Sequence, residues 1–244
     1  MAFARWDPIR DLLAIQQRLD RYAPGPAGWV PPIDVHETNA EYVITAMLVL
    51  LRRAWFASDE VIAGKWPRMS TIGREVHGKT LGLVGLGGIA RETATRARAL
   101  GMNVLAFDPL LPKDHAAWQL ARHADFDELI AQSDILSLHV PLTASTKRMI
   151  GPSQIASMKK GSLIINAARG GIIDEMALVD ALRSGHLGGA ALDVFETEPL
   201  DAAAGSGFSS TPNLLLTPHI AGVTEESNVR VSRSEEHTSE LQSR

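Results

Sequence analysis

Residues 80–90, Thr80-Leu81-Gly82-Leu83-Val84-Gly85-Leu86-Gly87-Gly88-Ile89-Ala90, join an apolar strand to a glycine turn and then to a helix predicted to reach about Leu100. In such a turn Gly85 permits the tight bend, Gly87 lets the backbone approach a pyrophosphate, and Ala90 lets the helix lie close to the strand. The helix N-terminus supplies free N–H groups for phosphates. The stretch therefore predicts a dinucleotide site in a βαβ fold. Its predicted contact residues are Gly85, Leu86, Gly87, Gly88 and Ile89.

A carboxylate after the next apolar run supports this interpretation. Val104–Phe107 is followed by Asp108, which comes 23 positions after Gly85. This is close to the spacing of about 20 residues at which an acid on the second strand meets the ribose hydroxyls of NAD. A carboxylate would repel the 2′-phosphate of NADP, so Asp108 predicts NAD. Taken alone the glycine pattern is weak, because such turns also simply join strands to helices.

The composition excludes several classes of function. The 244 residues, 45% of them hydrophobic, can bury the core of one large domain or two modest ones. A net charge of -4 gives no sign of the basic surface that nucleic-acid binding requires. The chain has no cysteine, and no histidine and carboxylate pair has the spacing of metal ligands, so no metal site is predicted. Without an export signal or an apolar run of membrane length, we expect a cytoplasmic protein with no membrane partner.

Strands and helices alternate from residue 80 onward. Near-continuous apolar runs of this kind suit a parallel sheet that helices cover on both faces. After the strands that end at Val84 and Phe107, further strands are predicted at 135–139, 163–166, 190–194 and 213–217. Helices are predicted at 41–57, at 126–132 and after the capping residue Asp174. The predicted apolar face of the helix at 41–57 consists of Tyr42, Ile44, Leu48, Leu51 and Trp55, and that of the helix after the glycine turn consists of Ile89, Thr93, Ala97 and Leu100. The predicted fold is α/β, a doubly wound parallel sheet of the Rossmann-like kind.

Three polar residues follow successive predicted strands, where a doubly wound sheet exposes its ligand crevice. They are Arg169 in Asn166-Ala167-Ala168-Arg169-Gly170-Gly171, Glu198 in Asp193-Val194-Phe195-Glu196-Thr197-Glu198-Pro199, and His219 in Thr217-Pro218-His219-Ile220. Each alone has an ordinary explanation as a surface or loop residue. Together, in this order and after a dinucleotide turn, they resemble the D-isomer-specific 2-hydroxyacid dehydrogenase family.

The resemblance covers about residues 41–232. It also includes Gly78-Lys79-Thr80-Leu81-Gly82, Phe107-Asp108-Pro109, Leu138-His139-Val140-Pro141-Leu142-Thr143 and Met158-Lys159-Lys160-Gly161. It implies hydride transfer between NAD and a small 2-hydroxy or 2-oxo acid. His219 would then donate the proton, Glu198 would orient its imidazole, and Arg169 would bind the substrate carboxylate.

The resemblance also extends the predicted cofactor site and implies a homodimer. Asp193 would help to place the nicotinamide, and the loop after Leu138 would line the adenine side. The further predicted contact residues are Asp108, Pro109, Val140, Pro141, Thr146, Ala167, Ala168, Arg169, Asp193 and His219. For His139 a structural or cofactor-edge role is favoured over catalysis. The dimer would form through the helix beginning near Glu41 and an arm at 141–158.

Both ends of the chain resemble unrelated sequences. Residues 1–46 contain DPIRDLLAIQQRLDR and WVPPIDVHETNAEYVITA, which resemble the start of a bacterial small heat-shock protein, with an extended segment at 29–35. Residues 233–243 resemble a translated sequencing adapter. The predicted organisation is a heat-shock-like fragment at 1–40, an NAD-binding domain at 41–222, and a truncated helix with an adapter-like tail at 223–244.

The same resemblance limits the expected activity. In the family a second domain completes the substrate cleft, and this chain is expected to lack much of it. We therefore expect weak NAD binding with little or no turnover, since fast hydride transfer needs positioning and water exclusion. Two alternatives stay open: a small heat-shock-like chaperone fragment, which rests on residues 1–46, and a non-catalytic NAD-binding module. The identity of the 2-hydroxy acid does not follow from these residues.

Overall fold

The computed structural model describes residues 34–53, 57–225 and 227. The heat-shock-like sequence before residue 34 and the adapter-like tail lie outside these residues. The strands are β1 (Thr80–Val84), β2 (Asn103–Phe107), β3 (Arg122–His123), β4 (Ile135–Leu138), β5 (Leu163–Asn166), β6 (Gly189–Leu192) and β7 (Leu214–Leu216). The helices are α1 (Asp34–Arg52), α2 (Ser58–Ile62), α3 (Gly88–Ala99), α4 (Phe126–Gln132), α5 (Pro152–Ser157), α6 (Glu175–Arg183) and α7 (Ala202–Ser206), with a 3₁₀ turn at Ala116–Gln119.

The seven strands form one parallel sheet in the order β3-β2-β1-β4-β5-β6-β7. Because β1 lies between β2 and β4, the chain reverses its direction of travel across the sheet at this point. This is the strand order of doubly wound dinucleotide-binding sheets. The predicted fold class is confirmed.

Each face of the sheet carries its own hydrophobic core. In β5, Leu163 and Ile165 contribute to the core on one face, whereas Ile164 contributes to the core on the other. Helices α1 and α3 cover the first face, and α4, α5 and α6 cover the second. All four residues of β4, β5 and β6 are buried, which explains why the sequence shows continuous apolar runs instead of alternation.

Helix α1 begins earlier than predicted, ends at Arg52 instead of residue 57, and buries a face that only overlaps the predicted one. It starts at Asp34, so the extended segment expected through Val35 is wrong there. Within the predicted apolar face, Ile44 and Leu48 are only half-buried. The buried residues are Ala40, Val43, Ala46, Met47, Leu50 and Leu51. Because α1 contacts both α3 and the sheet, its buried surface is wider than a single stripe.

Two other predicted elements need smaller corrections. Strand β6 ends at Leu192, so Asp193 follows the strand instead of ending it. In α3, Ala90 and Ala94 are buried where Ile89 and Leu100 were expected. Small alanine side chains on this face let α1 and α3 approach closely. Across the described residues, no helix combines the length and the hydropathy that crossing a membrane requires.

Candidate active site

The carboxyl ends of six strands lie on one row across the sheet. The parallel register pairs Phe107 with Val84, Val84 with Leu138, Leu138 with Asn166, Asn166 with Leu192, and Leu192 with Leu216. The residues that follow these strand ends are Asp108, Gly85, His139, Ala167, Asp193 and Thr217. Residues from distant parts of the chain therefore meet at one edge, which is where doubly wound sheets bind their ligands.

The turn after β1 leaves room for a phosphate. Gly85 has a φ of 90°, and a Cβ there would lie 2.6 Å from the carbonyl oxygen of His139. Gly87 is the N-cap of α3 and supplies no side-chain capping bond. A Cβ on Gly87 would meet no protein atom within 4 Å. An open space in front of uncapped helix N–H groups fits an anionic pyrophosphate.

Asp108 joins this turn to the end of β2. Its Oδ2 accepts a hydrogen bond from the Leu86 N–H at 2.9 Å, and its Oδ1 accepts one from the Leu110 N–H at 3.0 Å. A carboxylate offers about four acceptor sites, so two remain for ribose hydroxyls. Leu86 itself is fully buried and its carbonyl accepts from Arg91, so this residue shapes the turn. Pro109 is exposed beside Asp108.

Glu198 and His219 form a fixed pair at the same edge. The distance between His219 Nδ1 and Glu198 Oε2 is 2.8 Å, and Glu198 Oε1 accepts the Phe195 N–H at 2.8 Å. Because a carboxylate can only accept, Nδ1 carries the proton in this bond. The side chains of His219 and Glu198 are 48% and 32% exposed, so a small molecule can reach them. This arrangement leaves Nε2 of His219 for a substrate.

Asp193 builds the turn that carries His219. Its side chain is fully buried, and its backbone carbonyl accepts the His219 N–H at 2.8 Å. Its carboxylate accepts from Thr217 Oγ1 at 2.6 Å, from the Ile220 N–H at 2.9 Å and from the Ala221 N–H at 2.8 Å. The sequence pointed only to a cofactor role for Asp193. No local pattern shows that its carboxylate accepts hydrogen bonds from residues 24 to 28 positions further along the chain.

Arg169 lies on a loop that contacts the Glu198 loop. The Asn166 side chain shapes this loop by accepting from the Ala168 N–H and donating to the Arg169 carbonyl. A Cβ on Gly170 would lie 1.7 Å from the carbonyl oxygen of Phe195, so the two backbones touch. The Arg169 side chain is exposed and its Nη1 donates to the Ala168 carbonyl at 2.6 Å. Among the described hydrogen bonds, none joins Arg169 to the pair of Glu198 and His219.

An ionic cluster that the sequence did not reveal anchors the Glu198 loop from outside. Arg148 Nη2 lies 3.2 Å from both carboxylate oxygens of Glu196, 48 positions away. The Glu196 N–H donates to Glu175 Oε1 at 2.6 Å. Burial raises the pKa of Glu175, although the bond from the Glu196 N–H opposes the shift.

In residues 34–53, 57–225 and 227, no three histidine or acidic side chains are grouped as a metal ion would require.

The loop after β4 is ordered by hydroxyl groups. Thr146 Oγ1 donates to the Pro141 carbonyl at 2.6 Å and accepts the Thr143 N–H at 2.8 Å. The adjacent His139 bonds Ser137 Oγ through Nε2 at 2.9 Å, and burial lowers the pKa of His139 to about 4. His139 is therefore neutral near pH 7, as a structural residue requires. Val140 is half-buried between this histidine and Pro141.

Comparisons with known proteins bear on this site. The sequence profile of a family described as D-isomer specific 2-hydroxyacid dehydrogenase, NAD binding domain, matches residues 44–221. The (S)-sulfolactate dehydrogenase of Chromohalobacter salexigens is 54% identical over 194 residues, which are 79% of this chain and 62% of that protein.

Two solved structures share the fold. A crystal structure of a glyoxylate reductase from Paecilomyes thermophila is 42% identical with a TM-score of 0.74, and the match covers 82% of this chain and 60% of that one. A D-lactate dehydrogenase from Aquifex aeolicus, complexed with NAD and lactic acid, is 31% identical with a TM-score of 0.77 over 86% of this chain and 67% of that one. The chain thus spans less than two thirds of the sulfolactate dehydrogenase and of the glyoxylate reductase.

Proposed function

Because the chain belongs to the D-isomer specific 2-hydroxyacid dehydrogenase family through its NAD-binding domain, we propose that it binds NAD and carries the proton-transfer residues for hydride exchange with a 2-hydroxy or 2-oxo acid. The observation that carries the proposal is the 2.8 Å pair of Glu198 and His219, on the sheet edge where the Gly85 turn opens. The relatives named as dehydrogenases and reductases favour this function over the small heat-shock-like chaperone alternative.

The cofactor site is assembled from loops on one edge. The uncapped N-terminus of α3, with Gly87 and Gly88, would hold the pyrophosphate. Asp108 would accept from ribose hydroxyls through its two remaining acceptor sites. Val140, Pro141, Thr146, Ala167 and Ala168 follow β4 and β5 and would line the remaining length of the dinucleotide. Asp193 would act at the nicotinamide end by fixing the turn of His219.

The chemistry follows from the residues around His219. When bound, NADH supplies the hydride that adds to C2 of the 2-oxo acid. His219 donates a proton from Nε2 to the oxygen on C2, where negative charge develops, and Glu198 stabilises the imidazolium. Arg169 is exposed at the same edge, and its guanidinium can bind the substrate carboxylate through two parallel hydrogen bonds.

The 244-residue chain itself is proposed to turn over slowly. The resemblance assigns half of the substrate cleft to a second domain, and this chain spans 62% of the sulfolactate dehydrogenase. Hydride transfer by an NAD-binding domain alone would proceed with poorer exclusion of water and poorer positioning of the substrate. The site residues are therefore expected to bind the cofactor weakly and to support little catalysis.

Two readouts on the purified chain test these proposals. NADH fluorescence should show saturable binding, and addition of glyoxylate or hydroxypyruvate should cause slow oxidation that His219→Gln abolishes. A chain that shows no saturable NADH binding contradicts the cofactor proposal. Oxidation that survives His219→Gln contradicts the role of His219, and turnover of about 10 per second, typical of intact enzymes, contradicts the impaired activity. Binding without any oxidation would favour the non-catalytic module.

A homodimer through the NAD-binding domain is proposed as the assembly. The contact would be made by the helix beginning near Glu41 and the arm at 141–158, and it would be extended by an exposed apolar segment at 61–72, which comprises the end of α2 and the loop toward β1. Its exposed apolar side chains are Val61, Ile62, Trp66, Met69 and Ile72. Adjacent exposed apolar residues of this kind mark interaction surfaces. Light scattering should give a dimer that Ile62→Ser combined with Trp66→Ser converts to a monomer, and a monomeric unaltered chain at high concentration would contradict the proposal.

The origin of the chain ends and the location are further proposals. Residues 1–40 and 233–243 are proposed to derive from other coding sequences. The family match begins at residue 44, inside the stretch 41–46 that both resemblances include. Continuous coverage of source reads across residues 36–48 and 231–235 would contradict this origin.

A cytoplasmic location is proposed from the lack of cysteine.

A further inference from the structure

A partly buried chain of hydrogen bonds links α1 to the turn of His219. The Tyr42 hydroxyl lies 2.6 Å from Thr217 Oγ1, and the same Oγ1 lies 2.6 Å from Asp193 Oδ1. From this geometry we infer that Tyr42 is a positioning residue, which holds His219 in place through Thr217 and Asp193. The inference rests on the proposed role of His219 as the proton donor.

The direction of every proton in this chain is determined. An ionised carboxylate can only accept, so Thr217 must give its single hydroxyl proton to Asp193. Tyr42 must therefore donate its own proton to Thr217. Burial raises the pKa of Tyr42 above its ordinary value of 10.0, and the Asp193 carboxylate adds to this rise while the bond to Thr217 opposes it. The hydroxyl thus stays protonated and remains a donor. Bonds in such a chain polarise and strengthen one another.

The far end of the chain fixes a strained turn. His219 has a φ of 55°, which a residue other than glycine seldom adopts unless its surroundings impose it. Here the Asp193 carbonyl accepts the His219 N–H, and the Asp193 carboxylate accepts the next two backbone N–H groups, of Ile220 and Ala221. Any loosening of the Asp193 carboxylate would let this turn relax and would move the imidazole away from Glu198.

Helix α1 is a suitable anchor for this turn. A Cβ on Gly222 would lie 3.2 Å from Asn39 Oδ1, so the first turns of α1 lie against the residues just after His219. Tyr42 precedes the range 44–221 that the family profile matches, and the sequence placed it only on an apolar helix face. The partly buried ring of Tyr42 packs against the core, while its hydroxyl makes the hydrogen bond to Thr217.

The test compares hydroxyl deletions in the 244-residue chain without cofactor. Amide hydrogen exchange is measured by NMR at Ile220 and Ala221, together with the proton resonance of His219 Nδ1–H. The variants are Tyr42→Phe, Thr217→Val, Thr217→Ser and the double variant Tyr42→Phe with Thr217→Val. Thr211→Val is the matched control, because the Thr211 hydroxyl is buried without a hydrogen-bond partner among the described residues.

Tyr42→Phe should accelerate exchange at Ile220 and Ala221 about fivefold, as loss of one net hydrogen bond predicts, and should shift the His219 resonance. Thr217→Val should do the same or more, whereas Thr217→Ser and Thr211→Val should resemble the unaltered chain. The double variant should not exceed Thr217→Val, because Tyr42 acts through Thr217. Unchanged exchange and resonance in Tyr42→Phe, or additive effects in the double variant, would overturn the inference. A chain that fails to bind NADH contradicts the proposed function but leaves these cofactor-free readouts valid.

Discussion

At the scale of single residues, Gly87 and Gly170 differ in what a methyl group would meet. Gly87 has an extended backbone that alanine adopts readily, with open space around its Cβ position. Gly170 has the Phe195 carbonyl oxygen 1.7 Å from that position. Gly87→Ala should therefore change the free energy of unfolding by less than about 0.5 kcal/mol, yet weaken NADH binding about tenfold. Gly170→Ala should lower the free energy of unfolding by about 3 kcal/mol.

Denaturant unfolding and NADH fluorescence titration of the two variants separate these effects. Each glycine serves as the control for the other, since the chemical change is the same. If Gly87→Ala bound NADH as tightly as the unaltered chain, the pyrophosphate would not lie against the N-terminus of α3.

His139 gives the stability of the domain a defined pH dependence. Burial lowers the pKa of His139 from 6.5 to about 4, so the folded state binds fewer protons than the unfolded state between these values. Stability is therefore complete above pH 6.5 and is lost as the pH falls toward 4. The free energy of unfolding should fall by about 2–3 kcal/mol over this interval.

The measurement is denaturant unfolding at pH 7 and pH 4.5, for the unaltered chain and for His139→Gln. The glutamine variant does not titrate, and every other group contributes equally to both proteins. The unaltered chain should lose more stability than the variant over this interval. Equal losses would show that His139 is not desolvated.

At the scale of the element, two aspartates at helix starts have unequal roles. Asp174 caps α6, because its carboxylate accepts the Ala177 N–H at 3.0 Å. Asp125 occupies the same position before α4 but makes no side-chain capping bond. Asp174→Ala should lower the free energy of unfolding by about 1 kcal/mol, and Asp125→Ala by less than half of that. Thermal or denaturant unfolding of both variants checks this order, and a larger loss for Asp125→Ala would contradict it.

Elements with one clear boundary signal could be predicted from the sequence. Strand β5 and helix α4 match the predicted residues, since an apolar run ends at Asn166 and an acidic residue precedes Phe126. Helix α1 could not be predicted to the same extent. It is buried on more than one side, so its apolar residues do not form the single stripe that fixes the face of an amphipathic helix.

The sequence supplied candidate residues for the site but not the contacts between them. The roles of Glu198 and His219 stay predictions that the family resemblance implies, and the structure brings the two side chains to 2.8 Å. The contact of Arg148 with Glu196, and that of Tyr42 with Thr217, join residues 48 and 175 positions apart. Such contacts depend on sheet register and loop conformation, which no local pattern encodes.

At the scale of the whole molecule, the parallel register is what makes a site from scattered residues. It aligns the ends of β2, β1, β4, β5, β6 and β7. Asp108 then lies beside the glycine turn at one end of this row, and Asp193 lies with His219 near the other. The row runs in the order expected for a dinucleotide bound across the switch point of the sheet.

The most direct test of this account is a comparison of NADH and NADPH binding to the 244-residue chain by cofactor fluorescence. NADH should bind saturably and at least about tenfold more tightly than NADPH, because the Asp108 carboxylate would accept from ribose hydroxyls and would repel a 2′-phosphate. Asp108→Ser should reduce the difference between the affinities for NADH and NADPH. NADPH binding as tight as NADH binding, or no saturable binding of NADH, would contradict the account.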